Sequence, residues 1–132
     1  SIYRDRLTDD KNGNANSAYY FDGNSYIEFP KPAIKNDFTV SLWAMIESIP
    51  TEGTIRTAMS IGSSGGDQLV NISNNYYGVS GWALTSYNED GSNLVVTPNT
   101  LSSMVAQKWV HLAFTRDGHN LKANIDGKQI GS

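Results

Sequence analysis

The sequence predicts an all-β protein, built as an antiparallel β-sandwich of two sheets. Three observations carry this prediction. Short runs rich in β-branched and aromatic residues recur along the 132 residues, clusters of Gly, Asn, Asp and Pro separate these runs, and no segment shows a convincing helical periodicity. Because no helix connects one run to the next, we expect consecutive strands to pair antiparallel.

The first two strand candidates differ in strength. Residues 25–29 alternate Tyr26 and Glu28 with Ile27 and Phe29, and the run ends at Pro30, which has no backbone donor. Residues 37–46 form the strongest candidate in the chain. Apolar side chains occupy both of its faces, with Phe38, Val40, Leu42 and Ala44 on one side and Ser41, Trp43 and Met45 on the other. We therefore expect this strand to be central in its sheet and buried.

The later strands are separated by turn signals. Strands are predicted at residues 58–61, 69–73, 81–87, 94–98, 109–116 and 121–125. Residues 87–92 and 116–119 both contain Asp-Gly, which tolerates positive φ, so each is predicted to be a hairpin connection. A third pair, Asp126–Gly127, predicts a return strand within the five residues that follow it.

Composition and charge exclude several classes of function. With 132 residues, 39% of them apolar, the chain is long enough for one domain with its own core, so we predict a single domain over residues 1–132. A net charge of −3 and scattered basic residues argue against nucleic-acid binding. No apolar run approaches the roughly 20 residues of a membrane span. The chain has no Cys, so disulfides and thiolate sites are excluded.

Three blocks of sequence together resemble a known family. They are NSAYYFDG at 16–23 followed by SYI at 25–27, DFTVSLW at 37–43, and WVHLAFTRDG at 109–118 followed by IDGK at 125–128. In this order and spacing they resemble the laminin-G-like domains of the concanavalin A-like lectin/glucanase superfamily. A more distant likeness to pentraxins is carried by residues 38–42 and 110–113. The resemblance implies a jelly roll of two antiparallel sheets, one of them curved.

The resemblance also makes two finer predictions about the fold. Pentraxins have a disulfide at the positions of Ser41 and Ala113, so the strands that carry these two small residues should lie side by side. Domains of this family continue past the Asp-Gly-Lys turn, so the jelly roll is predicted to lack its C-terminal strands. We favour a fragment of a larger multidomain protein. The alternative is a reduced fold with an open sheet edge, which would favour a dimer or pairing with a strand of another chain.

Catalytic patterns are missing from the sequence. Glycoside hydrolysis needs two carboxylates about 5–10 Å apart. The four Glu residues are Glu28, Glu47, Glu52 and Glu89, and none belongs to a strand motif that would pair carboxylates on one face. No Ser stands in a Gly-x-Ser-x-Gly turn. We therefore expect the protein not to be an enzyme.

For the aromatic residues of the predicted strands a structural role is favoured over a binding or catalytic one. His111 follows Trp109 by two residues on a predicted strand, and a buried, hydrogen-bonded histidine is favoured over a ligand or a base. No second ligand at strand spacing supports zinc. We expect Trp43 and Trp109 to pack in the core.

Calcium is the candidate cofactor, because loops rich in Asp and Asn offer the oxygen ligands that it prefers. Asp10, Asn12 and Asn14 alternate as at the start of an EF-hand loop but lack its Gly and closing Glu, so a plain polar turn is favoured. Asp22 precedes a Gly and has a hydrogen-bonded turn as its alternative role. Asp67 resembles part of the pentraxin calcium site.

Aromatic and amide residues in one loop are candidates for ligand binding. Asn74, Asn75, Tyr76 and Tyr77 could present a ring for a sugar to stack on and amides to orient its hydroxyls. The alternative is that a tyrosine packs beneath its own loop.

The sequence and the resemblance together favour a noncatalytic carbohydrate- or protein-binding module. Its partner would be a glycan or an extracellular protein, with calcium as a candidate cofactor, and its location would be secreted or on the cell surface, in a bacterial protein. Two alternatives stay open: a structural spacer without its own ligand, and an accessory domain of a glycoside hydrolase.

Overall fold

The computed structural model describes residues 2–3, 6–30, 37–49, 56–62, 70–74, 82–87, 93–96, 105–118 and 120–131. Within these ranges the chain forms twelve strands and no helix, and every strand pair is antiparallel. This confirms the predicted all-β, antiparallel class. The chain divides into two compact units, Ser1–Lys31 and Pro32–Ser132.

The first unit contains two short sheets. Strand β1 (Ile2–Tyr3) pairs with β4 (Tyr26–Ile27), and β2 (Leu7–Thr8) pairs with β3 (Ala18–Tyr19). The predicted strand at 25–29 is therefore present but shorter. Strands of two residues are too short to show an alternating pattern, so β1, β2 and β3 were not predicted from the sequence.

The first sheet of the second unit carries the family-like blocks. Its strands are β5 (Phe38–Met45), β10 (Trp109–Asp117), β11 (Asn120–Ile125) and β12 (Lys128–Gly131), in the spatial order β12-β11-β10-β5. Ser41 lies opposite Ala113 in the register of β5 and β10. This confirms that the strands carrying these two residues are neighbours.

The second sheet of this unit is a meander. It runs β6 (Arg56–Ile61), β7 (Val70–Asn74), β8 (Trp82–Tyr87) and β9 (Asn93–Val96), each strand pairing with the next. Tyr87 pairs with Asn93, so β8 and β9 form the predicted hairpin, whose turn lies outside the described residues.

One hydrophobic core joins the two sheets of the second unit. Its buried side chains come from both sheets: Ile61 and Trp82 from the meander, and Leu112, Phe114, Leu121 and Ala123 from the other sheet. Leu112 and Phe114 are 0% exposed. A core shared by two antiparallel sheets is the arrangement of a β-sandwich, as predicted.

Both Asp-Gly turns at the end of the chain form as predicted. Asp117 pairs with Asn120, and Gly118 between them has φ +60. In the last hairpin Asp126 and Gly127 have φ 51 and 81, the two positive values that a type I′ turn requires. The return strand β12 follows at once.

The position of β5 differs from the prediction. Of the described strands only β10 pairs with β5, which therefore stands at the end of the sheet order rather than inside it. Phe38, Val40 and Leu42 pack against the core, but Trp43 on the opposite face is 47% exposed. The prediction that the strand is buried on both faces was wrong, because the outer face, on which Trp43 lies, is open to solvent.

Candidate functional site

The outer face of the β12-β11-β10-β5 sheet carries a cluster of aromatic and small polar side chains. Side chains alternate between the two faces of a strand, so the residues that flank the core positions point outward together. We call this surface the Trp43 face and define it by Ser41, Trp43, Met45, Trp109, His111, Ala113 and Asn124.

The strand register places these residues in three adjacent rows. Trp109 lies opposite Met45, and His111 lies opposite Trp43. In the third row Ala113 lies between Ser41 on β5 and Asn124 on β11. The aromatic residues are therefore contiguous, and a row of small residues borders them on one side.

Trp43 and His111 form a ring pair on this face. Their ring centroids are 5.1 Å apart with an interplanar angle of 54°, a tilted contact. His111 and Trp109 are half-buried, whereas 47% of Trp43 remains exposed. The expectation of a buried His111 and a core Trp43 was therefore wrong. Thr39 and Thr115 share this face by alternation, but neither strand's sequence alone shows that the face is turned to solvent.

The Asp126 turn fixes the backbone at His111. The carboxylate Oδ1 of Asp126 accepts a hydrogen bond from the His111 N–H at 2.9 Å, and the Asp126 N–H donates to the His111 carbonyl at 2.9 Å. Two bonds between the same pair fix the backbone of β10 at the residue whose imidazole contacts the indole. This arrangement favours a surface formed before a ligand arrives.

A second connection joins the start of β10 to the end of β5. The Gln107 N–H donates to the Ile46 carbonyl at 2.8 Å, and its Nε2 donates to the Glu47 carbonyl at 2.9 Å. Gln107 adopts φ 62, an uncommon value for a residue with a side chain. The two strand ends that carry Trp109 and Met45 are therefore tied together.

The opposite end of the sheet is fixed by Asp37 and Arg116. Oδ1 of Asp37 accepts from the Gly118 N–H at 2.8 Å, and Nε of Arg116 donates to the Gly118 carbonyl at 2.8 Å. Arg116 is only 3% exposed. A guanidinium is costly to bury unless its donors are satisfied, so this contact helps to retain the turn in one conformation.

The residues that define the Trp43 face include no Asp, Glu, Lys or Arg. Among the described residues of the sheet, the nearest cation on this face is Lys122, which lies opposite Thr115. Lys122 is two residues from Asn124 on β11, which is about 7 Å along the strand. At the other end Asp126 brings a carboxylate to the border of the face. A ligand beside Trp43 would thus meet the Ser41 hydroxyl and the Asn124 amide first, with Lys122 in the next row and Asp126 at the border.

Comparison with known families agrees with this geometry. The family model Laminin_G_3, described as the concanavalin A-like lectin/glucanases superfamily, matches residues 21–132. The chain belongs to this superfamily. The laminin-G-like resemblance seen in the sequence is thereby confirmed. No curated protein and no solved structure matches the chain significantly.

In this laminin-G-like protein the loop at Asp10 is a closed polar turn. Oδ1 of Asp10 accepts from the backbone N–H of Asn12 at 2.8 Å and of Asn14 at 2.9 Å, and Oδ2 accepts from Asn14 Nδ2 at 3.1 Å. The bond from the Asn14 side chain, followed by that from its backbone, lowers the pKa of Asp10 below its ordinary value. The structure thus brings the three predicted residues together through hydrogen bonds of their own.

The other predicted calcium ligands are Asp22 and Asp67. Oδ1 of Asp22 accepts from the Asn24 N–H at 2.8 Å, the tight-turn role given as its alternative, and the Asp22 N–H donates to Ser25 Oγ at 3.0 Å. Asp67 lies outside the described residues. In the described ranges no group of three or more His, Asp or Glu side chains is placed to hold a metal ion. Calcium at these positions stays a prediction.

The predicted ligand loop is only partly described. The backbone of Asn74 ends β7 and lies between Arg56 and Trp82 of the neighbouring strands. Asn75, Tyr76 and Tyr77 lie outside the described residues, so their role in binding stays a prediction. Within the described part of the chain no helix is long and apolar enough to cross a membrane.

Proposed function

We propose that this laminin-G-like protein is a noncatalytic recognition module that binds a carbohydrate or a protein on the Trp43 face. The observation that carries the proposal is the exposure of Trp43, 47%, beside the half-buried Trp109 and His111. Trp43 is exposed in contact with a second ring, that of His111, and aromatic side chains are enriched at binding interfaces. Trp is also among the residues that contribute most to binding energy.

The rigidity of the surface supports the same function. His111 is held by two bonds to Asp126, and Gln107 connects the ends of β5 and β10. A binding site already in its bound shape loses less conformational entropy when the ligand arrives. The family supports a lectin-like binding domain in general terms, and a secreted or cell-surface location is part of the proposal.

The absence of catalysis is supported by the chemistry of this face. Its central residues, as described, include no carboxylate, whereas glycosidases need two, about 5–10 Å apart. Turnover of a polysaccharide by the purified protein, abolished by replacing one Asp or Glu, would refute this part of the proposal.

The experiment is a binding screen with matched variants. Wild-type protein, Trp43→Ala and Ile49→Ala are applied to a glycan array and to extracellular protein fractions. Ile49 is 47% exposed, as Trp43 is, but lies beyond the end of β5. We expect Trp43→Ala to abolish the signal and Ile49→Ala to retain it. If the wild type binds nothing, the alternative of a structural spacer gains support instead.

Two additional arms test the loop at 74–77 and calcium. A Tyr76→Ala/Tyr77→Ala double variant that loses binding while Trp43→Ala keeps it would move the site to that loop. Calcium dependence predicts loss of binding in EDTA and a higher melting temperature at millimolar calcium, because an ion that binds only the folded state stabilises it. Unchanged binding and melting would remove calcium from the proposal and leave the Trp43 face in place.

A further inference from the structure

We propose that Asn12 is a site of spontaneous deamidation and that the Asp10 turn, residues 10–14, controls the rate of this reaction. In deamidation the backbone nitrogen of the following residue attacks the side-chain amide carbon of Asn. The inference is independent of the proposed function, because the turn belongs to the first unit and the Trp43 face to the second. Three features of the turn carry it: its sequence, its electrophile and its nucleophile.

The sequence of the turn leaves the attacking nitrogen unhindered. Residues 12–13 are the one Asn-Gly pair in the 132 residues, and glycine has no side chain beside its own nitrogen. Gly13 has φ +80, and a Cβ placed on it would meet none of the described residues within 4 Å. Asn12 is exposed. The pair is therefore open to attack and to the water that completes the reaction.

The electrophile is the side-chain amide of Asn12, which contacts a cation. Nζ of Lys11 donates to Asn12 Oδ1 at 3.3 Å. Negative charge develops on this oxygen when a nitrogen attacks the amide carbon, and a donor already directed at the oxygen stabilises that charge. The contact is exposed to solvent, so its effect is small. Lys11 thus activates the amide slightly in the folded turn.

The nucleophile, the backbone nitrogen of Gly13, is engaged in the turn. Its N–H donates to the Asp10 carbonyl at 3.0 Å. Oδ1 of Asp10 holds the residues on either side, because it accepts from the Asn12 N–H at 2.8 Å and from the Asn14 N–H at 2.9 Å. To react, the Gly13 nitrogen must give up its hydrogen bond and turn toward the Asn12 side chain. Asp10 therefore restricts the reaction to the times when the turn is open.

The chemical step is a ring closure followed by hydrolysis. The Gly13 nitrogen loses its proton to solvent and forms a bond to Cγ of Asn12. The Cγ–Nδ2 bond breaks, and ammonia leaves with a proton returned from solvent. Water then opens the cyclic imide at one of its two carbonyl carbons, which yields aspartate or isoaspartate. No atom is oxidised or reduced, and the chain gains one negative charge at residue 12.

The product is not compatible with the same turn. A carboxylate at residue 12 would lie near that of Asp10 and repel it. Isoaspartate adds one carbon to the main chain between the two N–H groups that Asp10 Oδ1 accepts. The turn connects β2 to β3, which pair through Thr8 and Ala18. Deamidation should therefore loosen this hairpin and prevent the turn from closing again.

The test follows residue 12 in the full-length protein by peptide mass spectrometry during incubation in mildly alkaline buffer. We expect Asp10→Ala to deamidate at least about tenfold faster than the wild type, because the charge-assisted bonds that close the turn are lost. Asn14→Ala loses only the Nδ2 bond to Asp10 Oδ2 and should react about two- to fivefold faster. Asn12→Gln should stop the reaction, since its longer side chain would have to close a larger ring.

Two controls isolate the contribution of the turn. Each variant is also incubated in urea, and the ratio of its folded to its unfolded rate removes the effect of the substitution on the unfolded sequence. Asn24 is the internal control in the same digest, because it is exposed and its N–H is held by Asp22 instead of Asp10. Its rate should be the same in all variants. Asn14→Ala keeps the test valid if Asp10→Ala disturbs the whole first unit.

The outcomes decide both parts of the proposal. A wild type that reacts as fast when folded as in urea would overturn control by the turn, as would Asp10→Ala and Asn14→Ala variants that react no faster than the folded wild type. Absence of deamidation at residue 12 in urea would overturn the site itself. Slow reaction of the folded wild type, faster in both variants and fastest in urea, is the result that the proposal requires.

Discussion

The two faces of β10 use similar residues for different purposes. Toward the core the strand presents Leu112 and Phe114, both 0% exposed, and toward the outside it presents Trp109 and His111, both half-buried. The inner side chains are enclosed by the second sheet, whereas the outer ones lie against their neighbours in the same sheet. The comparison shows that the face on which an apolar or aromatic strand residue lies, rather than its hydrophobicity, decides whether its side chain packs in the core.

The same comparison separates stability from recognition. The inner face removes apolar surface from water and so stabilises the fold. On the outer face nearly half of Trp43 remains exposed to solvent. This apolar surface contributes favourably to the free energy of binding when a partner covers it. Substitutions on the inner face should therefore change folding, and those on the outer face should change binding.

The largest expected effect tests the inner face. Phe114→Ala should lower the free energy of unfolding by about 3–5 kcal/mol, because it leaves a cavity in a closed core. Trp43→Ala removes a larger side chain but should cost only about 1–2 kcal/mol, since nearly half of that side chain is already exposed to solvent. Chemical denaturation of both variants measures the difference. Equal losses would break the distinction between the faces.

Arg116 is expected to give the next largest effect, since it places a charged group on the inner face. Arg116→Ala removes the Nε donor from the Gly118 carbonyl and empties a site that is 3% exposed. We expect a loss of about 1–3 kcal/mol, typical of a buried polar group left without its partner. Asp37→Ala is the matched control, because it frees the N–H of the same Gly118 at an exposed position. It should cost less, and a reversed order would contradict the burial argument.

Asp126 tests the border of the outer face. Asp126→Ala removes the acceptor of the His111 N–H and places at φ 51 a residue that lacks the polar side chain by which Asp tolerates positive φ. The free energy of unfolding should fall by about 1–2 kcal/mol. Asp126→Asn keeps an acceptor and a residue type that tolerates positive φ, and it should cost less than about 0.5 kcal/mol. Denaturation midpoints of the two variants distinguish the contribution of the turn conformation from that of the carboxylate charge. If both variants lose the same stability, the carboxylate charge itself is what matters.

The sequence predicted the second unit better than the first for a physical reason. Long strands such as β5 and β10 repeat their alternation several times, and the Asp126–Gly127 turn has a chemistry that only a few conformations satisfy. The first unit has strands of two residues, which no pattern can reveal. Its sheets depend on pairing at a distance along the chain.

The Trp43 face was not predicted because the register between two strands cannot be inferred from the sequence of either strand alone. The alternation of β5 places Thr39 and Ser41 beside Trp43, and that of β10 places Thr115 on the face of His111. Each pattern alone is compatible with a buried strand. Only the pairing of Trp43 with His111 and of Ser41 with Ala113 shows that these polar residues share one solvated surface.

The smallest expected effect lies in the exposed turn at Asp10, which has neither a core nor a face to support it. Hydrogen bonds from Asn14 lower the pKa of Asp10 below its ordinary value of 3.8. The ionised carboxylate therefore stabilises the folded state at pH values above 3.8, and this stabilisation is lost as the pH falls through the lowered pKa. Asn14→Ala should move the pKa back toward 3.8, measured by NMR titration of the carboxyl carbon. Asn12→Ala is the control, because only its backbone N–H reaches Asp10, and it should leave the titration nearly unchanged. An equal shift in both variants would show that the turn conformation, rather than the Asn14 side chain, sets the pKa.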